Sequence, residues 1–88
     1  MQEKRWRVEL IIDENDGRTR ATARLHTADD TRISGVGTAR LNPADRNVPE
    51  IGDELAASRA LSDLAHNLLE CAAGDIEELT QKSVRLDH

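Results

Sequence analysis

From Arg5 to Asp13 apolar and polar side chains trade places at almost every step. Trp6, Val8, Leu10 and Ile12 fall on one side of an extended chain, and Arg7, Glu9, Ile11 and Asp13 on the other. A period of two predicts a half-buried strand over about 5–13. Asp16-Gly17 follows, a strong hairpin signal, because both central positions of the favoured two-residue turn need positive φ. Alternation then resumes over 18–27, "RTRATARLHT". Thr19, Ala21, Ala23 and Leu25 share the apolar side; Arg18, Arg20, Thr22, Arg24 and His26 share the polar one. With Asp16-Gly17 as the loop, Asn15 faces Arg18. Ile12 then meets Ala21, Leu10 meets Ala23 and Val8 meets Leu25, while on the other face Asp13 meets Arg20 and Glu9 meets Arg24. Apolar residues face apolar ones and opposite charges face each other, so the register is self-consistent.

A third strand is predicted over 32–41. Ile33, Gly35, Gly37, Ala39 and Leu41 alternate there against Arg32, Ser34, Val36, Thr38 and Arg40. A symmetric turn centred on Asp29 sets Ala23 against Gly35 and Ala21 against Gly37. The middle of the inner face is then nearly bare, and a helix backbone lying close is what fills such a trough. Residues 42–48 carry polar side chains and a proline without a period and read as a linker. A helix is predicted over about 49–73. Pro49 suits a first helical position, and Glu50, Asp53 and Glu54 suit the positive first turns. Ile51, Leu55, Ser58, Leu61, Leu64/Ala65, Leu68 and Ala72 recur at three and four and mark the inner side. Glu54, Asp63, Asn67 and Glu70 mark the outer side. Gly74 reads as the stop. Residues 75–88 extend by a turn or short second helix, then a tail or a short strand placed on a neighbour. The expected class is α+β: a β-β-β antiparallel meander packed on one face by a long C-terminal amphipathic helix.

Eighty-eight residues make a single domain, 1–88, with a thin core. Trp6 is the one aromatic residue, so it is expected to pack between the first strand and the helix. A core this small points to help from self-association, as a homodimer or higher homo-oligomer. One cysteine, Cys71, excludes an internal disulfide and fits a reducing cytosol. There is no apolar run of membrane-spanning length and no apolar signal core, so the expected location is the cytoplasm. Net charge is -5 but uneven: residues 1–41 sum to +1 and residues 42–88 to -6. Two surfaces of different sign follow.

The polar strand side carries the candidate contacts. Arg7, Arg18, Arg24, Arg32 and Arg40 could meet RNA phosphates or an acidic protein partner. No aromatic residue on that side offers a stacking surface, which excludes RRM-like base recognition. Ile11, Thr22 and Val36 form a row across the middle of the same face, and Ile11 and Val36 are the candidate apolar residues of a dimer face. "GVG" (35–37) lies inside a strand and lacks the third glycine of a nucleotide loop. "DENDG" (13–17) has its glycine one position early for a calcium loop. His66 and Glu70, spaced four apart beside Cys71, fall short of the three or four converging ligands of a metal site. Catalytic spacings are absent, so no catalytic residue, metal or cofactor is assigned and a non-enzymatic role is expected.

With "TRATARL" upstream and "DIE" downstream, "GVGTARLNPADRNVPEIGDELAASRALSDLA" closely resembles a family of small actinobacterial proteins of unknown function, often classed as double-stranded-RNA-binding-domain-like (dsRBD-like). The resemblance spans roughly residues 5–80. It implies three antiparallel strands packed with a long helix. It also implies an association with dormancy and hypoxic or nutrient stress, and dimers likened to ribosome hibernation-promoting factors. The expected function is therefore a cytoplasmic stress- or dormancy-associated protein that binds the ribosome or RNA through its arginine-bearing face. The alternative is a homo-oligomeric protein-interaction module without nucleic-acid binding.

Overall fold

The computed structural model describes residues 2–29, 32–40 and 49–86. Three strands, β1 (Arg7–Asn15), β2 (Arg18–His26) and β3 (Arg32–Arg40), precede one helix, α1 (Pro49–Leu86). The strands form an antiparallel sheet in the order β1-β2-β3, with α1 packed on one face. The α+β meander expected from the alternation is present.

Asp16 and Gly17 take φ of 52° and 71°, the left-handed pair that a two-residue hairpin turn demands. The turn sets the register. Val8 lies opposite Leu25, Leu10 opposite Ala23 and Ile12 opposite Ala21. On the other side of β2, Ala21 faces Gly37 and Ala23 faces Gly35. β1 runs right up to the turn, to Asn15, and begins at Arg7 rather than Arg5.

The core is built from small residues. Ala21, Ala23, Leu25, Ala39, Ala56, Ala60 and Leu64 are buried, with Ile33 and Leu68 packed at the margin. The two central glycines explain the choice. A Cβ on Gly35 would overlap the backbone of Ala60 and Leu64, and one on Gly37 that of Ala56 and Ala60. The helix backbone therefore lies in the trough, as the sequence predicts.

The face that α1 turns to the sheet includes Leu64 and Leu68 as expected but is otherwise rotated from expectation. It is centred on Ala56, Ala60 and Leu64, while Ile51, Leu55 and Leu61 are exposed. Between its two glycine contacts the helix carries the methyl-sized side chains of Ala56 and Ala60, which let its backbone come close, and Leu64 is buried beside them. The rotation carries Asp63 and Asn67, expected on the solvent side, towards β3. Val36 N–H donates to Asp63 Oδ2 at 2.8 Å, Asn67 Nδ2 donates to the Ser34 carbonyl at 2.8 Å, and Arg59 Nη1 donates to the Thr38 carbonyl at 2.7 Å.

One helix about 10 Å wide covers about two strands spaced roughly 4.8 Å apart. α1 sits on β2 and β3 and reaches β1 only at its margin. Val8, Leu10 and Ile12 point to the inner side as expected, yet keep 43%, 40% and 41% of their surface exposed. Trp6 precedes β1 and is 56% exposed, so it is not a core residue.

Gly74 does not stop the helix, which continues to Leu86 in place of a short second helix or tail. An interior glycine costs only about 1 kcal/mol relative to alanine, and no proline follows to enforce an end. All side chains from Leu69 to Thr80 are exposed. The 38 residues of α1 span about 57 Å at 1.5 Å each, against about 30 Å for a nine-residue strand. The C-terminal half thus projects beyond the sheet, and the longest dimension of the molecule is 64 Å. Leu41, the expected linker at 42–48 and the last two residues lie outside the described residues.

Candidate functional site

The sheet face away from α1 is assembled by strand parity. Odd residues of β1 and even residues of β2 and β3 share it, which brings Arg7, Arg18, Arg24, Arg32 and Arg40 to one side. All five are exposed. They do not form one patch. Arg7, His26 and Arg32 make a row at one end, and Asn15, Arg18 and Arg40 make a row at the other. The rows are eight residues apart along β2, about 26 Å. Ile11, Thr22 and Val36 cross the middle between them, with Ile11 and Val36 exposed and Thr22 half-buried.

The charges at both ends are notable for their neighbours. Arg18 and Arg40 are direct cross-strand partners, as are His26 and Arg32. The facing guanidinium groups of Arg18 and Arg40 are like charges, an arrangement that is destabilising. Acids do flank them: Asp13 faces Arg20 and Glu9 faces Arg24 across β1–β2. Yet Glu9 Oε1 lies 4.0 Å from His26 Nε2 instead of engaging Arg24. Among the described residues Arg7, Arg18, Arg20, Arg24 and Arg40 make no ion pair. Two shallow hollows mark the two ends. One is lined by residues of β2 and β3 that include Arg24, Leu25, His26, Arg32, Ile33 and Ser34, the other by Asp13, Asn15, Asp16, Arg18, Arg20 and Arg40.

The second candidate surface is β1 itself, which the sequence reading missed by placing it under the helix. In a two-residue hairpin the residues flanking the turn, Asn15 and Arg18, form a hydrogen-bonded pair, and bonding then alternates. Odd residues of β1 bond to β2. The N–H and C=O groups of Val8, Leu10, Ile12 and Glu14 therefore point to the free edge. The aliphatic side chains of the first three stand half-exposed on the inner side of that same edge. The only sequence clue was geometric, since a single helix cannot cover three strands.

His66 Nε2 and Glu70 Oε1 approach to 3.9 Å on the exposed side of α1, and Cys71 is exposed beside them. Among the described residues no three potential metal ligands converge, and no helix is long and apolar enough to cross a membrane.

Comparison with known proteins gives a consistent picture. The sequence profile of the Rv2632c-like family matches residues 4–85. Uncharacterized protein Mb1767 of Mycobacterium bovis is 56% identical over 81 residues, covering 92% of this chain and 85% of the relative. Uncharacterized protein Rv2632c of Mycobacterium tuberculosis is 51% identical over 81 residues, covering 92% and 86%. The crystal structure of Rv2632c superposes with a TM-score of 0.82 at 50% identity, covering 91% of this chain and 94% of that one.

Proposed function

Given that this chain belongs to the Rv2632c-like family, we propose that it is a non-enzymatic, self-associating module whose β1 edge pairs with the β1 edge of a second copy. The observation that carries this reading is the coincidence of an open backbone edge with three half-exposed aliphatic residues, Val8, Leu10 and Ile12. An edge of this kind is a template for another strand.

The side chains favour one register. When Leu10 faces Leu10 of the second copy, Val8 faces Ile12 and Arg7 faces Asp13. On the inner side apolar groups meet apolar ones; on the outer side Arg7 meets Asp13 while Glu9 meets Ile11, and the hydrogen-bonding residues of both edges are in phase. Shifting the axis to Ile11 sets Glu9 against Asp13, two like charges. Full burial of such an aliphatic side chain stabilises by about 1.5–3 kcal/mol. Covering the remaining 40–43% exposure of three side chains per copy therefore gives about 4–7 kcal/mol. That is near the low end of the cost of association, about 4–15 kcal/mol, so the backbone ladder and the charge pairs supply the surplus.

Light scattering across a dilution series tests this. The wild-type protein is expected at twice the chain mass and Leu10→Lys at the chain mass. Arg7→Asp should weaken the pair, and Arg7→Asp with Asp13→Arg should restore it. A wild-type protein that stays monomeric at every concentration would overturn the reading.

A second reading rests on a separate observation, the cross-strand pair Arg18–Arg40. Two facing guanidinium groups that form no ion pair of their own attract an anion, here in a hollow that Asp13 and Asp16 also line. The ligand in this reading is RNA backbone, the ribosome included. The setting is the stress or dormancy that the sequence resemblance implies, in the cytoplasm. Edge pairing through β1 would extend this face across six strands and double its arginines.

A further inference from the structure

We infer that Arg59, Asp63 and Asn67 of α1 act in place of a fourth strand, closing the β3 edge to other chains and leaving β1 as the edge through which the protein assembles. Only the last clause rests on the self-association proposed above.

A sheet edge presents rows of N–H and C=O groups that recruit further strands. On β3 the outward groups belong to the even residues, and three of these groups are occupied. Asp63 accepts from the Val36 N–H, while Asn67 and Arg59 donate to the carbonyls of Ser34 and Thr38. Polarity matches at each position, an acceptor against the N–H and donors against the carbonyls. Spacing matches too. Every fourth residue of a helix advances about 6.0 Å, and every second residue of a strand about 6.6–6.8 Å. The drift is under about 1 Å per step, so one row of side chains follows the edge over three positions, two steps apart from end to end. α1 runs antiparallel to β3, pairing 59, 63 and 67 with 38, 36 and 34. The carboxylate contact to Val36 is of the stronger, charge-assisted kind. Among the described residues no side chain of α1 bonds the outward groups of β1.

The consequence concerns assembly. A sheet with one open edge pairs once, through a two-fold contact that closes. A sheet with two open edges can add copies on both sides and grow. The row on α1 therefore sets where growth stops.

The test is Asp63→Ala with Asn67→Ala in the full chain, read by amide hydrogen exchange and light scattering. Exchange of the Val36 amide is expected to quicken at least tenfold, with Ala21 and Ala23 of β2 still protected. The mass is expected to rise with concentration beyond that of the wild type. Adding Val36→Pro removes the outward donor at the reopened edge and should return the mass to the wild-type value. Asn67→Ala alone, a milder change, should give the same effects in smaller measure. Unchanged protection at Val36, an unchanged mass, or growth that survives Val36→Pro would each overturn the inference. A monomeric wild type would remove the β1 pairing alone. The double variant would then still gain mass that Val36→Pro abolishes.

Discussion

Gly35 and Gly37 set how near α1 can come to the sheet. Both face the backbone of the helix, and a side chain at either position would occupy space that the helix fills. Gly35→Ala is therefore expected to destabilise by about 1–3 kcal/mol, the usual cost of overpacking a tight contact. Chemical denaturation measures this, and a change below about 0.5 kcal/mol would mean that the contact is looser than it stands. These glycines were legible in the sequence because they fall on the same strand side as Ala21 and Ala23. A bare patch in the middle of an apolar face admits few fillers. Trp6 was not legible in the same way. Its size argued for burial, but burial depends on what lies above a residue. Trp6 stands before β1, the strand that the helix reaches only at its margin, and is more than half exposed. The five arginines were placed correctly on one face by parity alone. The separation of four of them into two end rows, with Arg24 between Glu9 and Ser34, follows from the register of β3 as well.

Among the elements, α1 departs most from its sequence signature. Its start at Pro49 was readable, because proline and the acids after it favour a helix N-terminus. Its packed face was readable at Leu64 and Leu68 but not in the preceding turns, because Ile51, Leu55 and Leu61 outweighed the alanines in a hydrophobic count. The informative pattern was smallness: of Gly52, Ala56 and Ala60, spaced by four, the two alanines lie against Gly35 and Gly37 and the glycine lies against Thr19. Reading that stripe as the inner side also turns Asp63 and Asn67 towards β3. The C-terminal end was obscured by Gly74, which resembles a terminator but lies inside the helix with nothing within 4 Å of a Cβ built there. Since neither space nor a positive φ requires glycine there, Gly74→Ala should stabilise the helix by about 0.5–1 kcal/mol. For a domain this small that raises Tm by about 2–8 °C. A lower Tm on thermal scanning would show that the projecting half of α1 needs the glycine for a contact outside the single chain.

For the whole molecule, the decisive quantity is the separation of charge. The chain is acidic overall, with net charge -5, yet the outer sheet face presents arginines and the exposed acids Glu54 and Glu70 lie on α1 beyond the opposite face. The shortest dimension of the molecule is 19 Å. The Debye length is about 10 Å at 0.1 M salt and about 30 Å at 0.01 M. An RNA strand on the arginine face is thus shielded from the acids of α1 at the higher salt and repelled by them at the lower. If about four phosphates are neutralised, log affinity for single-stranded RNA should fall with log salt at a slope near -3 above about 0.1 M, using about 0.7 per contact. Below that concentration the slope should flatten as the repulsion of α1 becomes felt. Arg18→Ala with Arg40→Ala removes two of the contacts and should make the slope shallower by about 1.4. Fluorescence titration of a labelled oligonucleotide across a salt series reads all three effects. Absence of binding at 0.1 M, or a slope that the double variant leaves unchanged, would discard RNA as the ligand and leave the paired β1 edges as the proposed function.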